Sequence, residues 1–517
     1  MGAVVQILGA ANRTLTVFTD GAGYYIANGL LPGLYSVHVT APSFLPALKE
    51  KIGLRPGATL NVNVTLNTLL GVMQLGPVRA LPDDDDWKWT LRSVANRPVL
   101  RVFDDPASTE KQDHELSGTL SFVAGSAAGG YGTGSDMSTG FTLERSIFSD
   151  GRLAFSGNVG YGTGLPAAVA RAGYSRKLAD GSEPTMALTV RRFAASDPSL
   201  HNAALQALAL SAGDDFSVGD VLELKFGSEL QTIQFLGHVT AVSPYASADL
   251  HLSPDTVLEY DYASSRPDLR AEKGFDSAPP DLSESNPRVS LLNFSPKVER
   301  AHHHEVSVSH RMGNTNLQVA VFSDRVGDTV LTGTGEVTAS GGYLLPDASS
   351  GTFSYTGRSL DTSGMRVVLQ RKFSSDLTAT LDYAFGGVLD LSRPDVSLQD
   401  APQWITNQRR HALAAKLAGT VPRTHTKWIA SYRWVNGPAL TPVDMFNASA
   451  GQSDPYLNLF IRQPIPGLGS RPGHMEAIID VRNLLAQGYV PVLGQDGQTV
   501  YLVQSARAVR GGVSFTF

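Results

Sequence analysis

The last four hundred residues of the chain are dominated by stretches in which apolar and polar residues alternate. The alternation is unbroken in Leu377, Thr378, Ala379, Thr380, Leu381, Asp382 and Tyr383. Period-two alternation puts the apolar side chains on one face of a β-strand and the polar ones on the other. Similar runs occupy residues 153–161, 427–434, 475–482 and 509–517. The pattern predicts an all-β region.

Strand length and connection length favour a membrane barrel over a soluble sandwich. The alternating stretches run for about 9 to 13 residues, the length that a tilted strand needs to cross a bilayer. Short turns, at residues 312–315 and 374–376, contrast with long polar connections at 267–287 and 388–409. Short turns on one rim and long loops on the other are typical of outer-membrane barrels. At roughly 22 residues per strand with its connection, residues 115–517 predict about 18 strands, with about 16 to 22 plausible.

The two faces of the predicted strands suggest different roles. Polar candidates for the lumen, which would set selectivity, are Asn158, Thr378, Thr380, Asp382, Lys427, Arg433, Glu476, Asp480 and Arg482. Aromatic residues tend to lie where a barrel meets the membrane–water interface. The candidates for that interface are Trp87, Trp89, Tyr161, Tyr383, Trp428, Tyr432 and Trp434.

Residues 1–67 have a different pattern, in which short alternating strands are separated by turn residues. Residues 35–40 and the eight residues Leu60–Asn67 alternate cleanly, and Asp20-Gly21, Pro32-Gly33 and Pro56-Gly57 supply turn chemistry. The pattern predicts a small β-sandwich of about six strands.

The same segment resembles the carboxypeptidase regulatory-like domain. The resemblance rests on residues 19–25 (TDGAGYY), 29–37 (GLLPGLYSV) and 41–44 (APSF). It implies a transthyretin-like sandwich without catalytic residues, of a kind that often precedes barrels of the TonB-dependent receptor type. Members of the family usually open with one more strand, so we expect the domain's first strand and a signal peptide to lie upstream of Met1.

Residues 68–114 form a connector rich in proline and aspartate between the two regions. Its four aspartates, Asp83–Asp86, lack the alternating ligand spacing of a calcium loop and are typical of a solvated linker. Trp87 and Trp89 follow directly and could either anchor at an interface or pack at the barrel mouth.

The barrel region resembles TonB-dependent receptors in three places. Residues 296–306 resemble a strand start of that family, residues 479–485 (IDVRNLL) resemble its penultimate strand, and the chain ends on Phe515 and Phe517. A terminal phenylalanine resembles the signal that the barrel-insertion machinery reads. The plug domain of the family has no counterpart among the connector's motifs, and no TonB box is evident, so a TonB partner stays open.

Composition and charge narrow the function classes. Charged residues make up 17% of the 517 residues, and 51 residues are glycines. The net charge of -6 makes nucleic acid an improbable partner. The absence of cysteine excludes disulfides, thiolate metal sites and cysteine nucleophiles. No hydrolase motif is present, and we expect neither enzymatic activity nor a cofactor.

A histidine cluster invites a metal-site hypothesis that spacing argues against. On a strand, His302, His304 and His310 share one face, with His303 on the other, and His304 lies about 20 Å from His310. A polar rim is the better interpretation, and no metal site is predicted.

The sequence thus predicts a bacterial outer-membrane β-barrel with a periplasmic N-terminal domain. The expected function is uptake or passage of an unidentified solute, with outer-membrane lipid around the barrel. One alternative is an adhesion or assembly protein whose long loops bind a partner without transport. Another is a soluble secreted sandwich protein.

Overall fold

The computed structural model describes residues 3–9, 14–20, 23–41, 47–64, 116–126, 135–147, 151–160, 167–178, 182–194, 204–219, 221–235, 237–266, 288–334, 342–347, 352–393, 395–397, 399–447, 456–465, 474–487, 489–494, 499–504 and 507–517. The connector 68–114 and the loop 267–287 lie outside these ranges. The chain forms two compact units, an N-terminal sheet and a large barrel. In the described part, no helix is long and apolar enough to cross a membrane.

The N-terminal unit contains one antiparallel sheet with strand order β2-β1-β3-β4. Its strands are β1 (Val4–Gly9), β2 (Thr14–Phe18), β3 (Gly33–Thr40) and β4 (Ala47–Leu54). Val5, Ile7, Val37 and Val39 alternate along β1 and β3 and form its buried core. The prediction of a strand over residues 60–67 is wrong for the described residues 60–64, which join no ladder. Val62 and Val64 nevertheless pack on this core, which explains the alternation.

The second unit is a closed antiparallel barrel of 18 strands, which confirms the predicted architecture and strand number. The barrel strands are β5 (Ser117–Ser126), β6 (Ser135–Ile147), β7 (Gly151–Gly160), β8 (Ala167–Arg176), β9 (Thr185–Ala194), β10 (Ala204–Val218), β11 (Leu222–Gln234), β12 (His238–Ser253), β13 (Thr256–Ala263), β16 (Arg300–Met312), β17 (Thr315–Gly327), β21 (Leu360–Ser374), β22 (Leu377–Leu391), β24 (Ile405–Val421), β25 (Thr426–Val435), β26 (Asn458–Ile465), β27 (His474–Arg482) and β30 (Ala508–Thr516).

The barrel closes where β30 pairs with β5. Phe515 lies opposite Leu120, and Gly118 and Phe517 exchange backbone hydrogen bonds of 2.9 and 3.0 Å. Closure removes both sheet edges, so each strand of the wall has a hydrogen-bonded neighbour on either side. The start of β5 and the end of β30 therefore lie at the same rim.

Three connections at that rim are tight turns. The turns after β12, β16 and β21 contain two residues each, 254–255, 313–314 and 375–376. Gly313 has φ of 60°, the sign that a primed hairpin turn requires at its first central position. We call this the short-turn rim and the opposite one the loop rim.

The loop rim has secondary structure of its own. It holds β14 (Val289–Leu292), β15 (Ser295–Val298), β18 (Val330–Thr334), β19 (Leu344–Asp347), β20 (Thr352–Thr356), β23 (Asp395–Ser397), β28 (Tyr489–Leu493), β29 (Thr499–Gln504) and a one-turn helix, α1 (Ala401–Trp404). Six of these strands form a second sheet in the order β19-β20-β18-β28-β29-β23. Leu331, Leu344, Phe353, Leu389 and Ile405 belong to one hydrophobic core at this rim.

The long connection predicted at 388–409 is shorter than the sequence suggested. Strand β22 extends to Leu391 and β24 begins at Ile405. Val388, Leu389 and Ile405 are fully buried, because this end of the wall is covered by the core of the loop rim. An apolar run that is buried on both faces loses the alternation by which the strand ends could have been recognised.

Candidate functional site in the barrel lumen

Buried polar side chains line the inside of the barrel wall. On β16, the inward positions carry His303, Glu305, Ser307 and Ser309, and all four are at most 3% exposed. On β17 the inward positions include Gln318 and Asp324, at 2% and 1%. The lumen is therefore the polar side of the sheet, and it is largely filled.

Arg366 on β21 is the centre of the first ion-pair cluster. Its Nη1 donates to Asp444 Oδ2 at 2.5 Å, and its Nη2 donates to Glu305 Oε1. The guanidinium is only 2% exposed. A buried arginine is tolerable only with such charge-assisted partners, since each unpaired charge would cost several kcal/mol.

His303 extends this cluster across the wall. Its Nδ1 lies 2.5 Å from Asp324 Oδ1, and its Nε2 lies 3.4 Å from Glu305 Oε2. One face of the imidazole stacks on the Phe446 ring, with centroids 4.0 Å apart and planes at 14°. The histidine is thus held by two carboxylates and a ring.

Asp444 and Phe446 belong to residues 436–447, which follow β25 and fold into the lumen; we call them the inward loop. Thr441, Val443, Asp444, Met445 and Phe446 are all at most 5% exposed. The Thr441 hydroxyl accepts a hydrogen bond from the Leu389 backbone N–H at 2.9 Å, and Asn447 Nδ2 donates to Asp382 Oδ2 at 2.7 Å. The loop is therefore docked on the wall by polar contacts and by burial.

A cavity lies where the inward loop meets the wall. Its polar lining comprises Asp382, Arg433, Asp444 and Asn447. The apolar lining includes Ala384, Ala412, Ala414 and Val443. The structure thereby brings together Asp382 and Arg433, two of the lumen candidates predicted from sequence.

An acidic patch occupies β12, β13 and β16. Asp261 is fully buried and lies among the like charges of Asp249, Glu259 and Glu305. A buried carboxylate in that position needs a proton or a positive charge to offset its desolvation. Across the described residues, no three acidic or histidine side chains are arranged to hold a metal ion.

A second ion-pair cluster lies on β26, β27 and β30. Asp480 Oδ2 accepts from Arg510 Nη2 at 2.6 Å and lies 3.0 Å from Arg482 Nη2. Arg462 Nη2 lies 2.5 Å from Glu476 Oε2. The Arg510–Asp480 and Arg462–Glu476 pairs join neighbouring strands, whereas Asp480 and Arg482 both lie on β27.

The lumen candidates from the sequence all fall on inward positions of their strands. Asp382, Glu476, Asp480 and Arg482 are buried, Asn158, Thr378, Thr380 and Arg433 are partly exposed, and Lys427 is exposed. Their contribution to selectivity stays a prediction.

Sequence reasoning assigned no lumen role to His303, Glu305, Asp324, Arg366 or Asp444. The first four lie on alternating strands, so their inward positions could have been found. Asp444 lies in a loop, where no period indicates direction.

The interface candidates are only partly described. Tyr383, Trp428, Tyr432 and Trp434 occupy outward positions, and Tyr383 Oη lies 2.7 Å from His411 Nδ1. Trp87, Trp89 and Tyr161 lie outside the described residues. Phe515 and Phe517 stack at 5.9 Å between centroids at the short-turn rim.

One comparison agrees with the predicted N-terminal domain. The family model of the carboxypeptidase regulatory-like domain matches residues 1–67, which confirms that prediction. No curated protein sequence matches the chain.

Several solved structures resemble the chain at low identity. The FrpB iron transporter from Neisseria meningitidis is 10% identical, with a TM-score of 0.41 and coverage of 79% of this chain and 82% of that one. The siderophore receptor PirA from Pseudomonas aeruginosa is 10% identical, with a TM-score of 0.37 and coverage of 79% and 82%. OccK11 from Pseudomonas aeruginosa is 10% identical, with a TM-score of 0.36 and coverage of 78% and 95%.

Proposed function

We propose that the protein is an outer-membrane barrel that mediates uptake or passage of a solute, with the inward loop as its internal barrier. The observation that carries this proposal is the inverted polarity of the wall. Val319 and Val321 on the outside of β17 are 45% and 56% exposed, whereas Gln318 and Asp324 on its inside are 2% and 1% exposed. A soluble protein gains stability by the opposite arrangement, while a barrel in lipid requires this one.

The short-turn rim is assigned to the periplasm. Outer-membrane barrels have short periplasmic turns and longer extracellular loops, and the chain enters β5 and leaves β30 at the rim with two-residue turns. The N-terminal domain is then periplasmic, and the strand that ends in Phe515 and Phe517 is the segment offered to the insertion machinery.

The lumen charges support a preference for cationic solutes. In the first ion-pair cluster, the acidic patch and the cavity lining together, the carboxylates outnumber the basic groups His303, Arg366 and Arg433; the carboxylates are Asp249, Glu259, Asp261, Glu305, Asp324, Asp382 and Asp444. Carboxylates that line a conduit raise the local concentration of cations and repel anions.

Planar-bilayer recording of the refolded full chain tests the proposal. We expect steady conductance steps once the inward loop is released. In a salt gradient, the reversal potential should show that cations pass more readily than anions. A folded barrel that stays silent with the loop docked or released would reject passage.

The alternative of a binding protein without transport rests on a separate observation. The loop rim is a folded cap with its own six-stranded sheet and hydrophobic core, rather than a set of independent loops. Such a cap could present a fixed surface to a partner. A silent barrel whose host cells lose surface adhesion when residues 330–356 are deleted would favour this function.

A further inference from the structure

The outward side chains of six neighbouring strands change character from the middle of the wall towards the loop rim. Strand register defines rows that run across β13, β16, β17, β21, β22 and β24. One row is apolar and consists of Leu258, Val308, Val319, Val367, Tyr383 and Leu413. Two positions further along each strand, the row is Tyr260, Val306, Val321, Met365, Phe385 and His411.

The rows nearer the loop rim are polar and basic. Tyr262, His304 and Ser323 form the next row, and His302 and Arg325 lie opposite each other beyond it. Arg409 lies two positions beyond His411 on β24. The apolar surface therefore ends in a group of outward basic residues, which we call the basic strip: Arg300, His302, His304, Arg325, Arg409 and His411.

Tyrosines hold three of the imidazoles in place. The hydroxyl oxygens of Tyr260, Tyr262 and Tyr383 lie 3.0, 3.3 and 2.7 Å from Nδ1 of His304, His302 and His411. When a tyrosine hydroxyl donates to Nδ1, the neutral ring carries its proton on Nε2. Each such histidine then offers an N–H donor at the border of the apolar surface.

The arginines add a local excess of positive charge. Arg325 is 76% exposed and lies 3.2 Å from Asp361, which is itself 70% exposed. Arg409 lies over the Phe385 ring at 5.6 Å. Along the six strands, every residue of which is described, Asp361 is the one carboxylate at an outward position. This excess stands out in a chain whose net charge is -6.

We propose that the basic strip binds the phosphate groups of anionic lipids in the outer leaflet. The proposal rests on the membrane placement proposed above. Arginine forks and imidazole N–H groups are suited to phosphate oxygens, and the apolar rows directly below would receive the acyl chains of the same molecule. A free phosphate ion would contact the basic strip alone. Because the basic strip is continuous with the apolar rows, the combined surface favours a lipid.

Native mass spectrometry of the full chain in a neutral detergent, titrated with lipid A, tests this assignment. Replacing Arg300, Arg325 and Arg409 together by glutamine is expected to weaken lipid A binding on the order of 10- to 100-fold. The matched control replaces Arg371, Lys372 and Arg423, three exposed basic residues at the short-turn rim; its affinity should stay within about twofold of the unchanged chain. Heat-shifted migration on gels verifies that both variants are folded.

A second variant, H304A/H411A, keeps all arginines and should lose several-fold affinity through the imidazole donors alone. Inorganic phosphate at millimolar concentration should leave lipid A bound. Equal loss in the two triple variants, or no loss in either, overturns the proposal. Displacement of lipid A by inorganic phosphate overturns the assignment to lipid. Lipid retention in detergent does not depend on conduction, so failure here leaves the proposed passage function untouched.

Discussion

Asp444 of the inward loop lies 2.5 Å from Arg366 of the barrel wall, and both side chains are 2% exposed. Arg366 also pairs with Glu305, so the loop supplies one of the two carboxylates that contact this buried guanidinium. Because the pair is excluded from water, loss of either partner weakens the docking of the loop on the wall, and we call the Asp444–Arg366 pair the latch. In the proposed function, this loop sets whether the lumen is open.

Releasing the latch should open the barrel. Asp444→Asn leaves Arg366 with one anionic partner and costs the docked loop about 3–5 kcal/mol, the usual cost of breaking a buried pair. We expect bilayer conductance at least about tenfold above that of the unchanged chain. Asp361→Asn, which breaks an exposed pair, is the matched control and should leave conductance unchanged.

Fixing the loop to the wall should have the opposite effect. The chain contains no cysteine, so a pair introduced by Ala384→Cys and Val443→Cys will be the only one present. Both positions line the cavity between wall and loop and pack in one apolar cluster. Oxidation should abolish conductance and a reductant should restore it, with either single cysteine variant unaffected by both treatments. Conductance that persists in the oxidised double variant would show that solute bypasses the loop.

The ion pairs of the wall should differ in their contribution to stability according to burial. Arg510→Met leaves the buried carboxylate of Asp480 with Arg482 as its arginine partner and should lower the free energy of unfolding by about 3 kcal/mol. Arg325→Met removes a partner from an exposed pair and should cost about 0–1 kcal/mol. Urea titration in detergent micelles, followed by tryptophan fluorescence, measures both. Equal losses would contradict the burial of the lumen cluster.

The N-terminal sheet offers a separate test. Tyr25 Oη donates to the Val62 carbonyl at 2.8 Å, and burial raises the pKa of this phenol above 10.0. Tyr25→Phe should cost about 1 kcal/mol, visible as faster hydrogen exchange at Val5 and Val37. Since the folded pKa is the higher one, this contribution is complete below the unfolded pKa and is lost as the pH rises through the folded value. Raising the pH through the alkaline range should therefore lower the stability of the Tyr25→Phe variant less than that of the unchanged chain.

The alternation of residues such as Leu377 to Tyr383 predicts the strands, and strand and connection lengths predict the barrel and a strand number of about 18. Alternation with a period of two indicates that a segment is a strand and which face each side chain occupies. The alternation is clear where one face of the strand has apolar surroundings and the other has polar ones. The signal fails where both faces are covered, as at Val388 and Leu389. It also misleads where a segment alternates without pairing, as at Val62 and Val64, which pack on the sheet outside its ladder.

The inward loop could not be predicted because its position depends on long-range partners. Nothing near Asp444 in sequence distinguishes it from a solvated loop aspartate. Arg366, its partner, is 78 residues away along the chain. His303 was recognised as the odd member of its histidine run, yet its stacking on Phe446 joins residues more than a hundred positions apart.

The claim on which the account depends is that the exposed apolar rows face lipid. Single cysteines at Val319, Val321 and Gln318, introduced one at a time in this cysteine-free chain and spin-labelled in reconstituted vesicles, test it directly. The account predicts that labels at Val319 and Val321 collide with lipid-dissolved oxygen and are shielded from a water-soluble nickel reagent, while the label at Gln318 is not exposed to lipid. Free access of the nickel reagent to Val319 and Val321, in a folded protein that needs no detergent, would contradict it.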